Sequence, residues 1–472
     1  MTRYHILRET DTEPLGDAVF RILGKVGILC QNREILEALD EAGAEVSFDD
    51  QTARFPKRVV EELVETVRRQ SEAQSADDET PRFASPGPPH FGTQVAQFLY
   101  DIDAGQARPG DKAAFVETVK LASVLHPDQS AGHSLLLSDV PPMVEPLEAA
   151  LLLAEYAHRP APAFAWNVRQ VDYLIEMGEI LGLRDWFSWG AICFAHPLRF
   201  DKDVADKFVR RVRSGCATGL TAMPVAGAST PVSPAGFIAV AAAEIVATWL
   251  AARAINPDVP LGGSIWAGAL DMKTGEVSYC SFDAMFYGFA LAEFVLKWTG
   301  KEIVVGGGEY CDAKKPGYFA AWEKAYKAMT IAAFTGRHYG VGQGMLEEGK
   351  TLCHEQLLLE RELAEGVGLL GRGVEVSPQT LDLASVFDVG HGLDRNHLDT
   401  EQTLRRYREF LWCPKTFGRN GWRGAETDEK VLQRFRGHAE ELKAAYVPPE
   451  VDPAKLAAMR EVVERGRRDL LV

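Results

Sequence analysis

The chain has 472 residues, 46% hydrophobic and 25% charged, which is the composition of a globular protein with a sizeable core. Its formal net charge of −16 argues against nucleic acid and anionic membranes as partners. We expect a cytoplasmic protein, because the N-terminus lacks a signal-peptide pattern and the seven scattered cysteines include no CxxC pair.

The first part of the chain, residues 1–92, is predicted to be helical. Apolar residues recur at helical spacing over residues 15–75, Gly43 is typical of a helix stop, and Pro56 suits a first helical turn. The Pro- and Gly-rich stretch 76–92 has the composition of a domain junction. We therefore place a domain boundary after residue 92.

Residues 93–398 alternate helical segments with short runs of apolar and small residues. The predicted helices lie near 112–125, 145–157, 169–182, 202–214, 234–254, 282–299, 317–335 and 353–366. The runs lie at 131–139, 161–167, 187–195, 216–224, 260–268, 302–308, 337–345 and 367–373. This alternation favours an α/β fold, a (β/α)8 TIM barrel, over a doubly wound sheet. The charged segment 399–472 is predicted to be a C-terminal helical extension packed on the barrel.

Aromatic and acidic side chains gather in or just after the predicted strands, where a barrel carries its site. Aromatic faces attract quaternary ammonium groups by up to ~2 kcal/mol when desolvated, although ordinary core packing is the alternative. Glu309 and Asp312 follow the glycines of "IVVGGGEYCD" and face either a cation or solvent. The aromatic candidates for walls of a cage are Trp166, Trp266, Tyr279, Phe282 and Tyr310.

Several familiar motifs are missing from the sequence. The glycines at 306–308 do not have GxGxxG spacing, and no GK[ST] follows them, which disfavours nucleotide binding. The eleven histidines include no HExxH, so no metal-ligand set is predicted. The chain also lacks a GxSxG or SxxK nucleophile motif.

A succession of motifs resembles the trimethylamine methyltransferase superfamily. These motifs are "LGKVGILCQNREILEALDEAGAEV", "CFAHPLRFD", "MPVAGASTPVSPAG", "GEYCDAKKPG", "GQGMLEEGKTLCHEQLLLE" and "HLDTEQTLRRYREFLWCPKTFGRNGW". The resemblance covers nearly the whole chain and implies a TIM barrel. It also implies transfer of a methyl group from a methylated amine to the Co(I) form of a separate corrinoid protein.

One departure from that family bears on the substrate. Its trimethylamine-specific members insert pyrrolysine at the barrel centre, whereas this sequence has ordinary residues throughout. The chain therefore resembles the non-pyrrolysine branch, whose members demethylate quaternary amines such as glycine betaine, proline betaine and carnitine. The chemistry agrees, because a quaternary ammonium leaves as a neutral tertiary amine and needs no proton donor.

The resemblance implies roles for further residues. Gln343 and Glu309 are the candidate catalytic groups, with Asp312 as a second partner for the cation. The candidate donors to a substrate carboxylate are His133, His354 and Gln356. The loop residues Gly227, Ala228, Ser229 and Thr230 are small enough to admit a corrin ring.

The expected partners are a corrinoid protein, a small quaternary amine and further copies of the chain, with no tightly bound cofactor. Two alternatives remain open at this point. One is a binding or scaffold barrel without turnover, and the other is a methyltransferase for another methylated amine or a methylated sulfur compound.

Overall fold

The computed structural model describes residues 4–75, 91–92, 94–183, 186, 196–335, 341–370, 374–414 and 427–471. It combines helices with short strands, as the predicted α/β class requires. The helices of the central region begin and end within two or three residues of the predicted bounds. They are α4 (Lys112–Leu125), α5 (Glu145–Tyr156), α6 (Val171–Leu181), α7 (Lys202–Arg213), α8 (Pro234–Ile255), α9 (Phe282–Thr299), α10 (Tyr318–Thr335) and α11 (His354–Leu369).

The N-terminal region, predicted to be helical, has three helices and also three short strands that were not predicted. Its elements are α1 (Thr12–Lys25), β1 (Ile28–Cys30), α2 (Arg33–Glu41), β2 (Glu45–Ser47), β3 (Thr52–Arg54) and α3 (Lys57–Ser75). Strands of three residues show no readable periodicity, which is why the sequence did not reveal them. β1 pairs antiparallel with β3 and parallel with β6 (Arg199–Phe200), which joins this region to the centre of the chain.

The other strands are also short. They are β4 (Phe98–Asp101), β5 (Gln106–Pro109), β7 (Thr218–Ala222), β8 (Val225–Ala226), β9 (Leu261–Ile265), β10 (Gly268–Leu270), β11 (Val277–Ser278), β12 (Val304–Val305), β13 (Met345–Leu346) and β14 (Thr351–Leu352). β7, β9 and β12 form a parallel sheet in the order β7–β9–β12, and β8 pairs parallel with β10. β14 pairs parallel with β4.

The predicted runs therefore have different outcomes. Runs 216–224, 260–268 and 302–308 each contain a strand of the parallel sheet. Isolated parallel bridges join Phe91 to Ala131 and Ala131 to Pro160. Run 187–195 lies outside the described residues. Closure of these strands into a barrel, and the domain boundaries after residues 92 and 398, stay predictions.

The predicted strand at 367–373 is wrong over its described part, because Val367–Leu369 ends α11. Gly368 of the predicted run lies inside the helix. A Cβ on Gly366 would lie 3.2 Å from the ring of Trp412, so the bare backbone allows that ring to pack on the helix.

Helix α8 lies at the centre of the largest hydrophobic cluster and packs on α1, α2 and α9. It is long and apolar enough to cross a membrane, but 83% of its most apolar window is buried inside the protein. Glu244 in the middle of the helix is fully buried and accepts from the Leu198 N–H at 2.8 Å and pairs with His196 Nδ1 at 2.8 Å. These contacts are typical of a core helix.

The C-terminal segment is helical, with α12 (Pro378–Leu381), α13 (Leu383–Val389), α14 (Glu401–Phe410), α15 (Asp428–Ala444) and α16 (Pro453–Leu470). α15 packs on α4 and α11, and α16 packs on α5 and α6. Met459, Val462 and Val463 of α16 join the same buried cluster as Leu147 of α5.

Candidate active site

Trp266 lies directly beyond strand β9, next to the glycines that follow β12. The ladder of hydrogen bonds continues past the strand ends, since Trp266 N–H donates to Ala222 O and Gly306 N–H donates to Ile265 O, both at 2.8 Å. A Cβ on Gly306 would lie 2.0 Å from Trp266 Cε2, so the indole rests on bare backbone. The glycines make room for an aromatic wall.

Glu309 holds the edge of that indole. Trp266 Nε1–H donates to Glu309 Oε1 at 2.7 Å, and Glu309 is only 7% exposed. A buried indole N–H needs such a partner, and the bond sets the orientation of both groups. The predicted cage residue and the predicted catalytic carboxylate are therefore direct neighbours.

Two fully buried lysines of α10 donate hydrogen bonds to backbone carbonyls of the turn that contains Glu309. Lys324 Nζ donates to Glu309 O, and Lys327 Nζ donates to Gly307 O at 2.7 Å. Burial and the charge of Lys324 lower the pKa of Lys327. Burial also acts against charge on Lys324, but Glu360 and the other acidic groups around it hold the pKa of Lys324 above its usual value.

Glu360 of α11 connects the lysines to Gln343. Its Oε2 accepts from Gly342 N–H at 3.1 Å and Gly344 N–H at 3.0 Å, and its Oε1 lies 3.6 Å from Lys324 Nζ. Gln343 is between those two glycines and is 2% exposed. The Lys324–Glu360 ion pair thus ties the turn of Glu309 to the loop of Gln343.

A carboxyl pair lies on the next turn of the chain. Asp312 Oδ2 accepts from Ser278 Oγ at 2.9 Å. Burial opposes its charge, yet hydrogen bonds from Glu348, Ser278 and Cys280 hold the pKa of Asp312 below its usual value. Burial and Asp312 raise the pKa of Glu348 to about 8, so Glu348 is protonated and Asp312 ionised at neutral pH. The pair carries one negative charge.

Potential ligand atoms of Cys280, Asp312 and Glu323 lie within 4.8 Å of one another. Each group already has a partner in the protein: Cys280 Sγ contacts Glu348 Oε1 at 3.5 Å, and Glu323 Oε2 accepts from Ala313 N–H at 3.0 Å. Burial raises the pKa of the Cys280 thiol far above its usual value, which keeps it protonated. We assign no metal to this cluster.

Tyr279 and Tyr310 complete the first group of site residues. Their ring centroids are 6.0 Å apart, with planes inclined by 59°. Tyr310 is 5% exposed, and its hydroxyl donates to Gln94 Oε1 at 3.1 Å. Tyr279 packs on Gly268, where a Cβ would lie 3.0 Å from its Cε1. The structure therefore brings together Trp266, Tyr279, Glu309, Tyr310 and Asp312.

A second group forms around Glu145 at the start of α5. This carboxylate is 1% exposed, pairs with His133 Nε2 at 2.9 Å and accepts from Trp166 Nε1–H at 2.8 Å. Burial opposes its charge, but His133 and Trp166 hold the pKa of Glu145 below its usual value. His133 and Trp166 thus meet at one carboxylate, while Trp166 stays 38% exposed.

Three predicted pocket residues lie elsewhere. His354 Nε2 contacts Thr118 Oγ1 at 2.9 Å between α4 and α11, and burial lowers its pKa to about 4. Gln356 is fully buried, and its Oε1 accepts from Gly317 N–H at 2.9 Å. Phe282 is 66% exposed in the first turn of α9 and does not line a buried pocket.

Phe282 belongs to an exposed set of rings, the aromatic rim, formed by Phe282, Phe286, Phe319 and Trp322. Ring centroids of Phe282 and Trp322 are 6.2 Å apart, and those of Phe319 and Trp322 are 6.1 Å apart. The members are between 41% and 66% exposed. The rim occupies the N-terminal turns of α9 and α10.

The predicted docking loop lies beside this rim, because Tyr287 of α9 donates its hydroxyl to Val232 O at 2.5 Å. Gly227, with a φ of +85°, and Ala228 are exposed. Ser229 Oγ accepts from Val225 N–H at 2.8 Å, and Thr230 is 8% exposed. Gly227 and Ala228 form the accessible part of the turn.

Sequence reasoning missed Glu145, Lys324, Lys327 and Glu360. The signal for the lysines was present, since Lys324 and Lys327 share the face of α10 that carries Ala320, Ala328 and Ile331. Glu145 and Glu360 gave no comparable signal. Their partners are distant in sequence or on other elements.

Comparisons with known proteins identify relatives of the chain. The chain is 22% identical over 485 residues to a glycine betaine methyltransferase from Desulfitobacterium hafniense Y51, covering 99% of the chain and 98% of that protein. It is 28% identical over 284 residues to trimethylamine methyltransferase MttB2 from Methanosarcina mazei. That match covers 59% of the chain and only 55% of the Methanosarcina protein.

A third relative, trimethylamine methyltransferase MttB from Desulfitobacterium hafniense DCB-2, is 20% identical over 95% of the chain and 91% of its own length. These names are those of methyltransferases for methylated amines and betaine. The family model for trimethylamine methyltransferase (MTTB) matches residues 1–470. By this match across almost its whole length, the chain belongs to the trimethylamine methyltransferase family.

Proposed function

We propose that this chain is a methyltransferase that moves a methyl group from a quaternary amine to the Co(I) centre of a separate corrinoid protein. The observation that carries the proposal is the first group of site residues, in which three aromatic rings lie with two carboxyl side chains. Such a group suits a cation that has no N–H to donate, because rings and negative charge attract quaternary ammonium without hydrogen bonds.

Orientation of the substrate is the main task of the protein's own residues. The indole N–H of Trp266 is bound by Glu309, and the turn of Glu309 is held by Lys324, so the wall is fixed before substrate arrives. Pre-set geometry lowers the entropic cost of the transfer. The corrinoid supplies the nucleophile for the methyl carbon when it is bound.

The second group serves the other end of a betaine in this proposal. In a TIM barrel, which we propose for the parallel strands, both groups lie at the carboxyl ends of strands. Both ring nitrogens of His133 are already bonded, Nε2 to Glu145 and Nδ1 to the Phe164 N–H, so the half-exposed Trp166 is the member of this group proposed to contact the substrate. The glycine betaine methyltransferase, 98% of whose length aligns with this chain, supports a substrate of this class by its name.

The corrinoid partner is proposed to dock on Gly227, Ala228 and the aromatic rim. The turn fits a broad flat ring because a Cβ on Gly227 would meet only Leu270 Cβ, at 4.0 Å, and Ala228 is exposed. Exposed rings of the rim provide apolar area beside that opening. We propose a cytoplasmic location and no cofactor held by the chain alone.

The direct test mixes the protein with a reduced corrinoid protein and a panel of betaines and trimethylamine. Formation of methylated corrinoid, followed by its visible spectrum, is expected with at least one quaternary amine. Calorimetric binding without transfer would instead support a scaffold protein. Transfer from trimethylamine alone, or from a methylated sulfur compound alone, would contradict the proposed substrate class.

A further inference from the structure

The carboxyl pair of Asp312 and Glu348 lies directly beside the aromatic rings of the candidate site. Asp312 is two positions after Tyr310 in the chain. Glu348 immediately precedes Gly349, where a Cβ would lie 2.4 Å from Tyr310 Cε1. The pair therefore adjoins a ring that is proposed to contact the methylated amine, although orientation of that amine gives the pair no task of its own.

The pair keeps part of its surface accessible, unlike the thiols next to it. Asp312 and Glu348 are half-buried, and so is Ser278, which donates to Asp312 Oδ2 at 2.9 Å. The neighbouring thiols of Cys280 and Cys311 are fully buried. The accessible part of this cluster is therefore carboxyl and hydroxyl, the groups that exchange protons readily.

The geometry of the pair requires a proton between the two carboxyl groups. They are hydrogen-bonded to each other, while Asp312 Oδ2 also accepts from Ser278 Oγ–H and Glu348 Oε1 lies 3.5 Å from Cys280 Sγ. The buried Oε2 of Glu348 has no other donor among the residues that the structure describes. Two adjacent ionised carboxylates repel each other, so one shared proton is the stable arrangement.

The backbone around Glu348 holds this side chain opposite Asp312. Glu347 and Glu348 have left-handed φ values of +51° and +54°, a conformation that only glycine adopts without cost. Their N–H groups donate to Ala313 O at 3.0 Å and Cys311 O at 2.9 Å, respectively. The turn is thus tied to the segment that carries Asp312, and the position of the pair is set before a ligand binds.

The other acidic groups around the pair are less suited to give up a proton. Burial raises the pKa of the Cys280 thiol and that of the Tyr326 hydroxyl well above their usual values, so both stay protonated at neutral pH. Glu323 is only 5% exposed, and its Oε2 accepts a backbone N–H at 3.0 Å. Glu348 is therefore the acid of this cluster that a ligand can reach.

We propose that Glu348 gives the shared proton to the tertiary amine that methyl transfer leaves behind, an inference that rests on the proposed function. The transfer itself needs no proton, because the nitrogen keeps the electron pair of the broken C–N bond. That lone pair then forms an N–H bond, while the O–H bond of Glu348 breaks and leaves its electrons on the carboxylate oxygen. The ammonium N–H of the product takes the place of the proton between the two carboxylates.

The direction of this proton transfer follows from the basicity of the two groups. Burial and Asp312 raise the pKa of Glu348 to about 8, whereas an aliphatic amine such as that of lysine titrates near about 10.4. The positive charge of Lys327 favours the ionised form of Glu348. Lys314 acts on Asp312 in the same way. A protonated nitrogen has no lone pair with which to take the methyl group back, so Glu348 makes the transfer harder to reverse.

Calorimetry in buffers of different ionisation enthalpy counts the protons released when a ligand binds. The ligand pairs are glycine betaine with N,N-dimethylglycine, and tetramethylammonium with trimethylammonium, at about pH 6, where Glu348 of the free protein holds its proton. Each tertiary ammonium ligand is expected to release about one proton per site, because its N–H displaces the shared proton. The quaternary ligands have no N–H and are expected to release almost none.

Infrared difference spectra give a second measurement that needs no substitution. The band of a protonated carboxyl group is expected to persist when a quaternary ligand binds and to disappear when a tertiary ammonium ligand binds. Glu348→Gln is expected to lack this ligand-sensitive band and to reduce the proton release from about one to none. Glu347→Gln is the matched control and is expected to behave as the wild type, because Glu347 has the same left-handed backbone but accepts from Thr351 Oγ1 at 3.4 Å.

Equal proton release by tertiary and quaternary ligands, or a wild type without the ligand-sensitive band, would overturn the inference. So would wild-type behaviour of Glu348→Gln, or a failure of all the ligands to bind. The methyl-transfer assay tests the proposed function separately. A protein that transfers methyl groups from a quaternary amine but shows equal proton release loses this inference alone, whereas the absence of transfer from every quaternary amine overturns the proposed function.

Discussion

At the scale of residues, the two candidate wall tryptophans are held in the same way, by a hydrogen bond from the indole N–H to a glutamate. Trp266 donates its indole N–H to Glu309 at 2.7 Å, and Trp166 donates to Glu145 at 2.8 Å. Each bond satisfies a polar group that burial would otherwise leave costly, and it fixes the ring relative to a negative charge. The carboxylates therefore act on both the shape and the electrostatics of the site.

Glu309→Gln separates these two effects. The amide oxygen still accepts the indole N–H, but the negative charge is lost, so the affinity for a betaine is expected to fall about tenfold, or ~1.4 kcal/mol. Calorimetry with the betaine found to be the substrate measures the loss. The control ligand is the analogue that lacks the cation, in which carbon replaces the quaternary nitrogen.

Binding of that analogue is expected to be equal in the Glu309→Gln variant and the wild type. Glu145→Gln is the matched variant for Trp166. An equal loss of affinity for the ligands with and without the cation would show that Glu309 acts on shape alone, against the proposed role of its charge.

Glu348 predicts a pH dependence of stability. Its pKa in the folded protein is about 8, whereas an unfolded glutamate titrates near about 4.3. Between these values the folded protein retains a proton that the unfolded chain loses, so this contribution to stability is present below about pH 4.3 and is lost as the pH rises to about 8. Glu348→Gln mimics the protonated form at every pH and so removes the dependence of this contribution on pH.

Thermal unfolding of the wild type and Glu348→Gln between about pH 5 and about pH 9 measures the effect. The gap between their Tm values is expected to shift in favour of the variant as the pH rises. Glu347→Gln, on the same turn, controls for the loss of a glutamate at this site. Parallel curves for the wild type and Glu348→Gln would contradict the sharing of one proton by Asp312 and Glu348.

At the scale of elements, α10 and α11 hold the site through one buried ion pair. Lys324 and Glu360 are both fully buried, so removal of either partner leaves an uncompensated charge. Lys324→Met or Glu360→Gln alone is expected to lower the free energy of unfolding by about 3 kcal/mol or more. The double variant is expected to lose less than the sum of the single losses.

Denaturant unfolding of the wild type, the two single variants and the double variant gives the coupling free energy between Lys324 and Glu360. The exposed pair Arg58 and Glu62, at 3.2 Å on α3, is the control, and its coupling is expected to be below about 1 kcal/mol. Additive losses for Lys324 and Glu360 would mean that the two side chains do not interact in solution.

The loop before α8 is the element proposed to meet the corrinoid partner. Ala228→Trp places a large ring on the exposed turn and is expected to slow methyl transfer at least tenfold while leaving amine binding unchanged. The effect of Ser229→Trp is harder to assign to docking, because this substitution also removes the hydroxyl that accepts from Val225 N–H. Measurements of amine binding and of transfer at rising corrinoid-protein concentration separate docking from substrate recognition.

Val447→Trp is the matched control for this loop, since Val447 is 68% exposed after α15. It is expected to transfer methyl groups at the wild-type rate. Unchanged transfer in Ala228→Trp would refute the proposed role of the loop.

At the scale of the whole molecule, the sequence was most informative where local chemistry decides the structure. Helix α4 begins where Asp111 accepts from Ala114 N–H at 2.7 Å, and α9 ends where Gly300 adopts a φ of +73°. Caps and terminal glycines of this kind are visible in a sequence. The helix bounds could therefore be predicted closely.

The parts that could not be predicted depend on contacts between distant residues. Glu309 and Trp266 are 43 positions apart, and His354 has a place between two helices that its neighbours in sequence do not reveal. The position of Phe282 after a predicted strand made it a cage candidate, but its exposure places it on the rim. Periodicity shows which face of a helix is apolar, and it does not show which polar groups meet across the fold.

The contact between Gly306 and Trp266 has a consequence for sequence variation. A side chain at 306 and an indole at 266 cannot occupy the same space, because the Cβ alone would lie 2.0 Å from the ring. Selection experiments that randomise both positions are expected to return a large residue at one position only when the other is small. The residue at position 306 therefore limits the size of the side chain that position 266 can carry, and with it the range of substrates that variants of this chain can accept.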